Sequence, residues 1–103
     1  MEFLALDFET ATSQPDSPCE LGIAVVRGGV VREVHNWLSK PPQWPYFSPY
    51  NIAVHGITPQ DVAQAPTWRE IWEEVEGILR DQVVVAHNAA FDMNVLRSTL
   101  VGQ

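Results

Sequence analysis

The chain has 103 residues, of which 46% are hydrophobic and 18% charged, and its formal net charge is −7. This composition is typical of a folded protein, so we expect one domain that spans residues 1–103. The balance of 13 acids against 6 bases excludes a protein that holds nucleic acid through a broad basic patch. It does not exclude an enzyme that meets a polyanion through bound metal ions, because the ions supply the positive charge.

The sequence gives no sign of a membrane segment or a secretion signal. Its apolar runs are only a few residues long, which is too short to span a bilayer. The N-terminus enters a strand directly, without the basic and then apolar pattern of a signal peptide, so we expect a cytoplasmic location. The single Cys19 cannot form a disulfide within the chain, and we expect it to be a small buried side chain.

The first eleven residues, MEFLALDFETA, predict a strand that carries two acids on one face. Leu4, Leu6 and Phe8 point to one side of such a strand, whereas Asp7 and Glu9 point to the other. Two like charges roughly 6 to 7 Å apart beside apolar walls need a shared proton, a basic partner or a divalent cation. Since no basic residue lies within ten positions, the cation is favoured. The alternative is that the strand ends at the first acid and both side chains are hydrated.

The next segments predict an antiparallel meander. Residues 12–18 are rich in turn formers, and residues 20–26 (ELGIAVV) form a second strand. Arg27-Gly28-Gly29 predicts a hairpin turn, after which residues 30–38 return as a third strand, at the edge of the sheet. Residues 40–51 carry four prolines and four aromatic residues, which argues against a regular element. This stretch is either a loop folded back over the core or an aromatic wall on which a base could stack.

Two helix starts follow this loop. Thr58 and Pro59 predict a short helix, and Thr67 with Glu70 has the spacing of a capping box. The second helix would bury one apolar stripe, formed by Ile71, Trp72, Val75, Ile78 and Leu79. Residues 82–86 (QVVVA) then predict a strand that is covered on both faces, and a last helix begins near residue 89 with Asn88 as its N-cap.

The resulting order, β-β-β-α-β-α, predicts an α/β fold with a mixed sheet. A right-handed crossover would place the 82–86 strand parallel to the first strand and beside it, which brings Asp92 toward Asp7 and Glu9. Three converging carboxylates without a basic partner predict a site for Mg²⁺ or Mn²⁺. Taken alone, Asp92 could equally be an acid that stabilises the first turn of a helix.

Three segments, taken together, resemble a known family. DFET at 7–10, VHGIT at 54–58 and HNAAFD at 87–92 are similar to motifs of the DnaQ-like (DEDD) 3′–5′ exonucleases. This group includes the proofreading epsilon subunit of bacterial DNA polymerase III and has a ribonuclease-H-like fold. The resemblance implies removal of 3′-terminal nucleotides from single-stranded DNA or RNA with two bound metal ions.

The resemblance also implies roles for individual residues. Asp7 would bridge the two metal ions, Glu9 would bind one of them, and Asp92 would act directly or through water. Further residues match positions that hold the terminal nucleotide in relatives: Phe8, Thr10, Val54, His55 and Phe91. For His55 the alternative is a histidine that caps a loop, and His87 is expected to be a structural hydrogen bonder.

The family pattern departs from this sequence after Asp92. Its third motif supplies a histidine as general base and a fourth metal carboxylate, whereas this chain ends at Gln103. We therefore expect the N-terminal portion of an exonuclease domain, with activity lowered by about 10² to 10⁴ from loss of the base alone. Residues 83–85 would be an apolar sheet edge that a second copy or a partner chain, such as a DNA polymerase, covers. The alternative function is a catalytically incomplete ribonuclease-H-like module that binds a nucleotide or a partner chain.

Overall fold

The computed structural model describes residues 2–86 together with Asp92 and Val95. The described residues form a four-stranded mixed sheet in the order β3-β2-β1-β4. The strands are β1 (Phe3–Thr10), β2 (Pro18–Arg27), β3 (Val30–Leu38) and β4 (Val84–Ala86). β2 runs antiparallel to both β1 and β3, whereas β4 runs parallel to β1. The predicted mixed α/β fold is confirmed, and so is the position of the last strand beside the first.

The antiparallel meander follows from the turn between β2 and β3. Gly28 and Gly29 have φ values of 60° and 77°, as a two-residue turn matched to the twist of a hairpin requires. The predicted third strand is confirmed over residues 30–38 and is an edge of the described sheet. β2 begins at Pro18, two residues before the predicted start, because Ser17 and Pro18 are already buried against the end of β1.

The helical elements are α1 (Pro49–His55), a 3₁₀ turn (Pro59–Val62) and α2 (Trp68–Leu79). The predicted capping box between Thr67 and Glu70 is present, and the predicted N-cap Thr58 forms a second capping box with Asp61. α2 covers one face of the sheet, and the core lies between them. The buried residues of this core are Leu4, Leu6, Phe8, Leu21, Ile23, Val25, Trp68, Ile71, Val75 and Val95.

The helix α1 (Pro49–His55) corrects the prediction for residues 40–51, which excluded a regular element. Pro49 occupies the first turn, where its missing N–H is not needed, and Gly56 ends the helix with a φ of 76°. None of its residues is buried, so it has no apolar stripe that the sequence could have shown. The rest of the loop does fold back over the core, with Phe47 buried in a second small cluster beside Cys19.

The strand β4 corrects a second prediction. It covers Val84–Ala86 rather than residues 82–86, and it is not covered on both faces, since Val83 and Val85 are 66% and 48% exposed. A continuous run of valines is also compatible with a strand that packs on one face only. The predicted helix from residue 89 lies outside the described residues except at Asp92 and Val95, which are both helical. Among the described residues, no helix is long and apolar enough to cross a membrane.

Candidate active site

The carboxyl end of β1 opens into a pocket of about 430 Å³, within the size range of small-molecule sites. Strand alternation sends Leu6 and Phe8 into the core and leaves Asp7 exposed and Glu9 half-buried on the opposite side. The described residues that line the pocket are Asp7, Phe8, Glu9, Thr10, Tyr50, Asn51, Val54, His55 and Asp92. Three segments that are far apart in sequence therefore meet at the end of one strand.

Asp92 reaches the pocket by continuing the hydrogen bonding of the sheet. The Leu4 amide donates to the Val83 carbonyl, so the even residues of β1 direct their N–H groups toward β4. β4 ends at Ala86, and the next donor along β1, the amide of Phe8, is 3.1 Å from Oδ1 of Asp92. Asp92 is 1% exposed, and its carboxylate is the acceptor for this amide.

The acids of the pocket act on one another electrostatically. Burial raises the pKa of Glu9, and the nearby charges of Asp7, Glu20 and Asp92 raise it further, while His55 opposes the shift. The described lining contains no lysine or arginine. A divalent cation would stabilise this negative charge, and carboxylate oxygens are ligands that Mg²⁺ and Mn²⁺ accept.

The carboxylates share a pocket without forming a compact three-ligand group. Within residues 2–86, Asp92 and Val95, no three or more His, Cys, Asp or Glu side chains are arranged to hold a metal ion. One oxygen of Asp92 is directed at the Phe8 amide, whereas Asp7 and Glu9 extend from the other face of β1. The donor types and the charge of the pocket fit a divalent cation, and the three-carboxylate metal site stays a prediction.

The helix α1 is attached to β1 through one backbone carbonyl. Asn51 Nδ2 donates to the carbonyl of Thr10 at 3.1 Å, and His55 Nε2 lies 2.9 Å from the same oxygen. The Ile57 amide donates to His55 Nδ1 at 2.9 Å, so the neutral ring carries its hydrogen on Nε2 and donates it to Thr10. Both ring nitrogens of His55 are thus used to hold the loop, which favours the alternative role as a loop-capping histidine.

The predicted nucleotide-binding residues differ in what they present to the pocket. Val54 is 65% exposed at its rim. Phe8 is 3% exposed, and its ring packs 5.3 Å from that of Trp68, so only its backbone is available. Thr10 is also buried, and its hydroxyl donates to the carbonyl of Thr12. Phe91 and His87 lie outside the described residues.

Two pocket residues were not among the predicted site residues. Tyr50 belongs to the aromatic stretch in the sequence, which gave a weak signal for it, whereas nothing in the sequence marked Asn51. The other aromatic residues of that stretch do not form a continuous wall. Phe47 is buried, and Trp44 is half-buried, with its indole N–H donating to the carbonyl of Pro59 at 2.9 Å.

Solved structures identify the class of fold. Exonuclease X in complex with 5′ overhanging duplex DNA matches with a TM-score of 0.78 and 28% identity, over 90% of this chain and 52% of that chain. A product-bound structure of exonuclease I matches with a TM-score of 0.82 over 97% of this chain and 25% of that chain, and its 20% identity supports the fold alone. The fold is therefore the ribonuclease-H-like fold of exonucleases.

The chain belongs to the RNase T exonuclease family, whose model matches residues 4–101. It is 34% identical over 97 residues to a PolC-type DNA polymerase III of Thermotoga maritima, covering 92% of this chain and 7% of that protein. It is 30% identical over 98 residues to the 3′-5′ exonuclease DinG of Staphylococcus epidermidis, covering 92% of this chain and 10% of that protein. The chain thus spans a tenth or less of these relatives. The predicted family is confirmed, and by family the chain is a hydrolase.

Proposed function

We propose that this chain contributes the metal-binding carboxylates of a 3′–5′ exonuclease site that removes terminal nucleotides from single-stranded DNA or RNA. The observation that carries the proposal is the convergence of Asp7, Glu9 and Asp92 at the end of β1. Membership of an exonuclease family supports the reaction class. The similarity to a 3′-5′ exonuclease and to a PolC-type polymerase supports the direction and a link to a DNA polymerase.

Asp7, Glu9 and Asp92 would hold Mg²⁺ or Mn²⁺, two ions in the proposed reaction. When bound, such ions activate water and neutralise charge on the phosphodiester. The chain contributes the orientation: the Phe8 amide fixes one oxygen of Asp92, and β1 fixes the spacing of Asp7 and Glu9. Val54 and the backbone of Thr10 would contact the terminal nucleotide, while His55 positions the helix. We also propose that Phe91 contacts the terminal nucleotide. A cytoplasmic location is a separate part of the proposal.

A specific observation favours a second function, that of a binding module completed by another chain. Val85 in β4 and Val83 just before it are exposed, and β4 is an edge of the described sheet. Exposed apolar edges favour pairing with another strand. The occupant would be a second copy or a partner chain such as a polymerase. Sedimentation equilibrium separates these cases, because a clean monomer at high concentration would contradict pairing between copies.

The test of the exonuclease function uses a 3′-labelled single-stranded oligonucleotide with Mn²⁺. We expect release of labelled mononucleotide, loss of release with EDTA, and loss of release in Asp7→Ala. Glu73→Ala, which removes an exposed acid on α2, is the matched control and should behave as wild type. No release at high protein concentration, together with no Mn²⁺-dependent thermal stabilisation, would contradict the proposal. Mn²⁺ stabilisation without release would favour the binding module.

A further inference from the structure

The outer surface of α1 carries two exposed side chains at the rim of the acidic pocket. Tyr50 and Val54 are 77% and 65% exposed, which places both among the three most exposed large hydrophobic residues of the described chain. Residues four apart on a helix are neighbours, so the phenol ring and the isopropyl group form one strip. Both side chains line the pocket together with Asp7, Glu9 and Asp92.

The strip is held at a fixed position although its own side chains are exposed. Asn51 and His55, the neighbours of Tyr50 and Val54 in sequence, both bind the Thr10 carbonyl. At the start of the helix, the Ser48 amide donates to the carbonyl of Ala11 at 2.8 Å. One side of α1 is therefore attached to the strand that bears the acids, and the adjacent side presents the strip to the pocket.

The other aromatic residues of residues 40–51 do not line the pocket. Phe47 is buried, and Trp44 is fixed by its bond to Pro59 and by Lys40, whose Nζ lies 4.3 Å from the ring centre. Tyr46 is 61% exposed but is not part of the pocket lining in the described chain. Tyr50 is thus the aromatic ring of this stretch that is both exposed and beside the carboxylates.

The charge of the pocket limits how a nucleic acid can be held there. The described lining offers carboxylates and no lysine or arginine, so contacts of the chain itself to phosphate are unfavourable. Stacking of a base on an aromatic ring does not depend on charge and is tolerant of sequence. It also needs an unpaired base whose face is accessible.

We propose that Tyr50, with Val54 beside it, is a stacking platform for unpaired bases at the 3′ end of a single strand. This inference rests on the proposed function and adds a residue that determines specificity. Because a base in a duplex is stacked on its neighbours and paired, the platform favours unpaired over paired 3′ ends. The occupant is nucleic acid rather than protein, since the strip is continuous with the carboxylate pocket.

The test compares Tyr50→Ala with Tyr50→Phe, which keeps the ring, and with Tyr46→Ala, which removes an exposed tyrosine outside the pocket. The probe is a fluorescein-labelled ten-nucleotide oligo-dT with a phosphorothioate at its last linkages, titrated by anisotropy in Mn²⁺. Stacking is worth about 1 to 3 kcal/mol per base, so Tyr50→Ala should weaken binding roughly 5- to 150-fold. The other two variants should remain within about twofold of wild type.

A second probe, with abasic sites at its last two positions, tests whether the ring contacts bases. We expect wild type and Tyr50→Ala to bind this probe equally. Equal affinity of wild type and Tyr50→Ala for the intact probe would overturn the platform, and if Mn²⁺-dependent hydrolysis persists the proposed function would stand. Failure of the wild-type chain to bind or to cleave any probe would overturn both.

Discussion

Replacing Asp92 by asparagine or by alanine separates its structural contribution from its charge. Its Oδ1 accepts the buried amide of Phe8 at 3.1 Å, and the side chain is 1% exposed. Alanine leaves this donor without that acceptor, at a cost of about 1 to 3 kcal/mol. For a domain of this size, 1 kcal/mol corresponds to about 4 to 8 °C in Tm. We therefore expect Asp92→Ala to lower the Tm, measured in EDTA, by about 4 °C or more.

Asparagine keeps a carbonyl oxygen for the Phe8 amide and removes the charge. The bond to a neutral acceptor is weaker by about 1 kcal/mol. Burial is the main cause of the raised pKa of Glu9 and the charge of Asp92 is the smallest, so loss of that charge offsets only a small part of the cost. We expect the free energy of unfolding of Asp92→Asn to stay within about 1 kcal/mol of wild type in EDTA. Asp16→Asn, at an exposed aspartate outside the pocket, is the matched control.

The same variants are then unfolded with Mn²⁺, followed by circular dichroism. An ion present at 100 times its Kd stabilises the native chain by about 2.7 kcal/mol. Wild type and Asp16→Asn should gain this stability, whereas Asp92→Asn should lose most of it. Equal destabilisation of the asparagine and alanine variants in EDTA would refute the role of the hydrogen bond. A full Mn²⁺ effect in Asp92→Asn would refute the role of the charge in holding metal.

Three further predictions concern the scaffold. Hydrogen bonds to Thr67 in the capping box lower the pKa of Glu70, so the stabilisation by this carboxylate is complete above its ordinary pKa of 4.5 and is lost as the pH falls through the lowered pKa. Glu70→Gln should therefore reduce the loss of stability at acid pH, measured by urea unfolding, whereas Glu74→Gln should not. Gly77→Ala has open space in α2 and should stabilise the chain by about 0.5 to 1 kcal/mol, whereas Gly56→Ala, at a φ of 76°, should destabilise it by about 1 to 2 kcal/mol, both measured by urea unfolding. Ile23→Val, at a core position 1% exposed, should cost about 0.5 to 1.5 kcal/mol, and no change in the urea midpoint would contradict the core assignment.

The elements that the sequence predicted well carry local signals. Period-two alternation marked β1, the Gly28-Gly29 pair marked the hairpin, and the Thr67 capping box marked the start of α2. The position of Asp92 beside β1 followed from the handedness of the crossover, which is a rule of topology rather than of local sequence. These features can be predicted because each depends on residues close in sequence or on general chirality.

The features that could not be predicted depend on tertiary contacts. α1 exists without a buried residue, because Asn51 and His55 bind a carbonyl that is more than forty positions away. Its end signals, Pro49 at the start and Gly56 after the last turn, were present but were outweighed by the other prolines of the loop. The exposure of Val85 in β4 likewise depends on what packs on that face, which a run of valines does not specify.

The alternation of β1 places its core residues and its acidic residues on opposite faces, and the Phe8 backbone connects the two sets. Leu6 faces the core, so the acidic residues on the opposite face can repel one another without opening the hydrophobic packing. Phe8 belongs to both systems, since its ring packs on Trp68 while its amide fixes Asp92. A change in core packing that displaces the Phe8 backbone would therefore strain or break its bond to Asp92 and loosen the position of that carboxylate. The rigidity of the core thus sets the spacing of the carboxylates, and metal affinity should respond to substitutions at Trp68 that never touch the pocket.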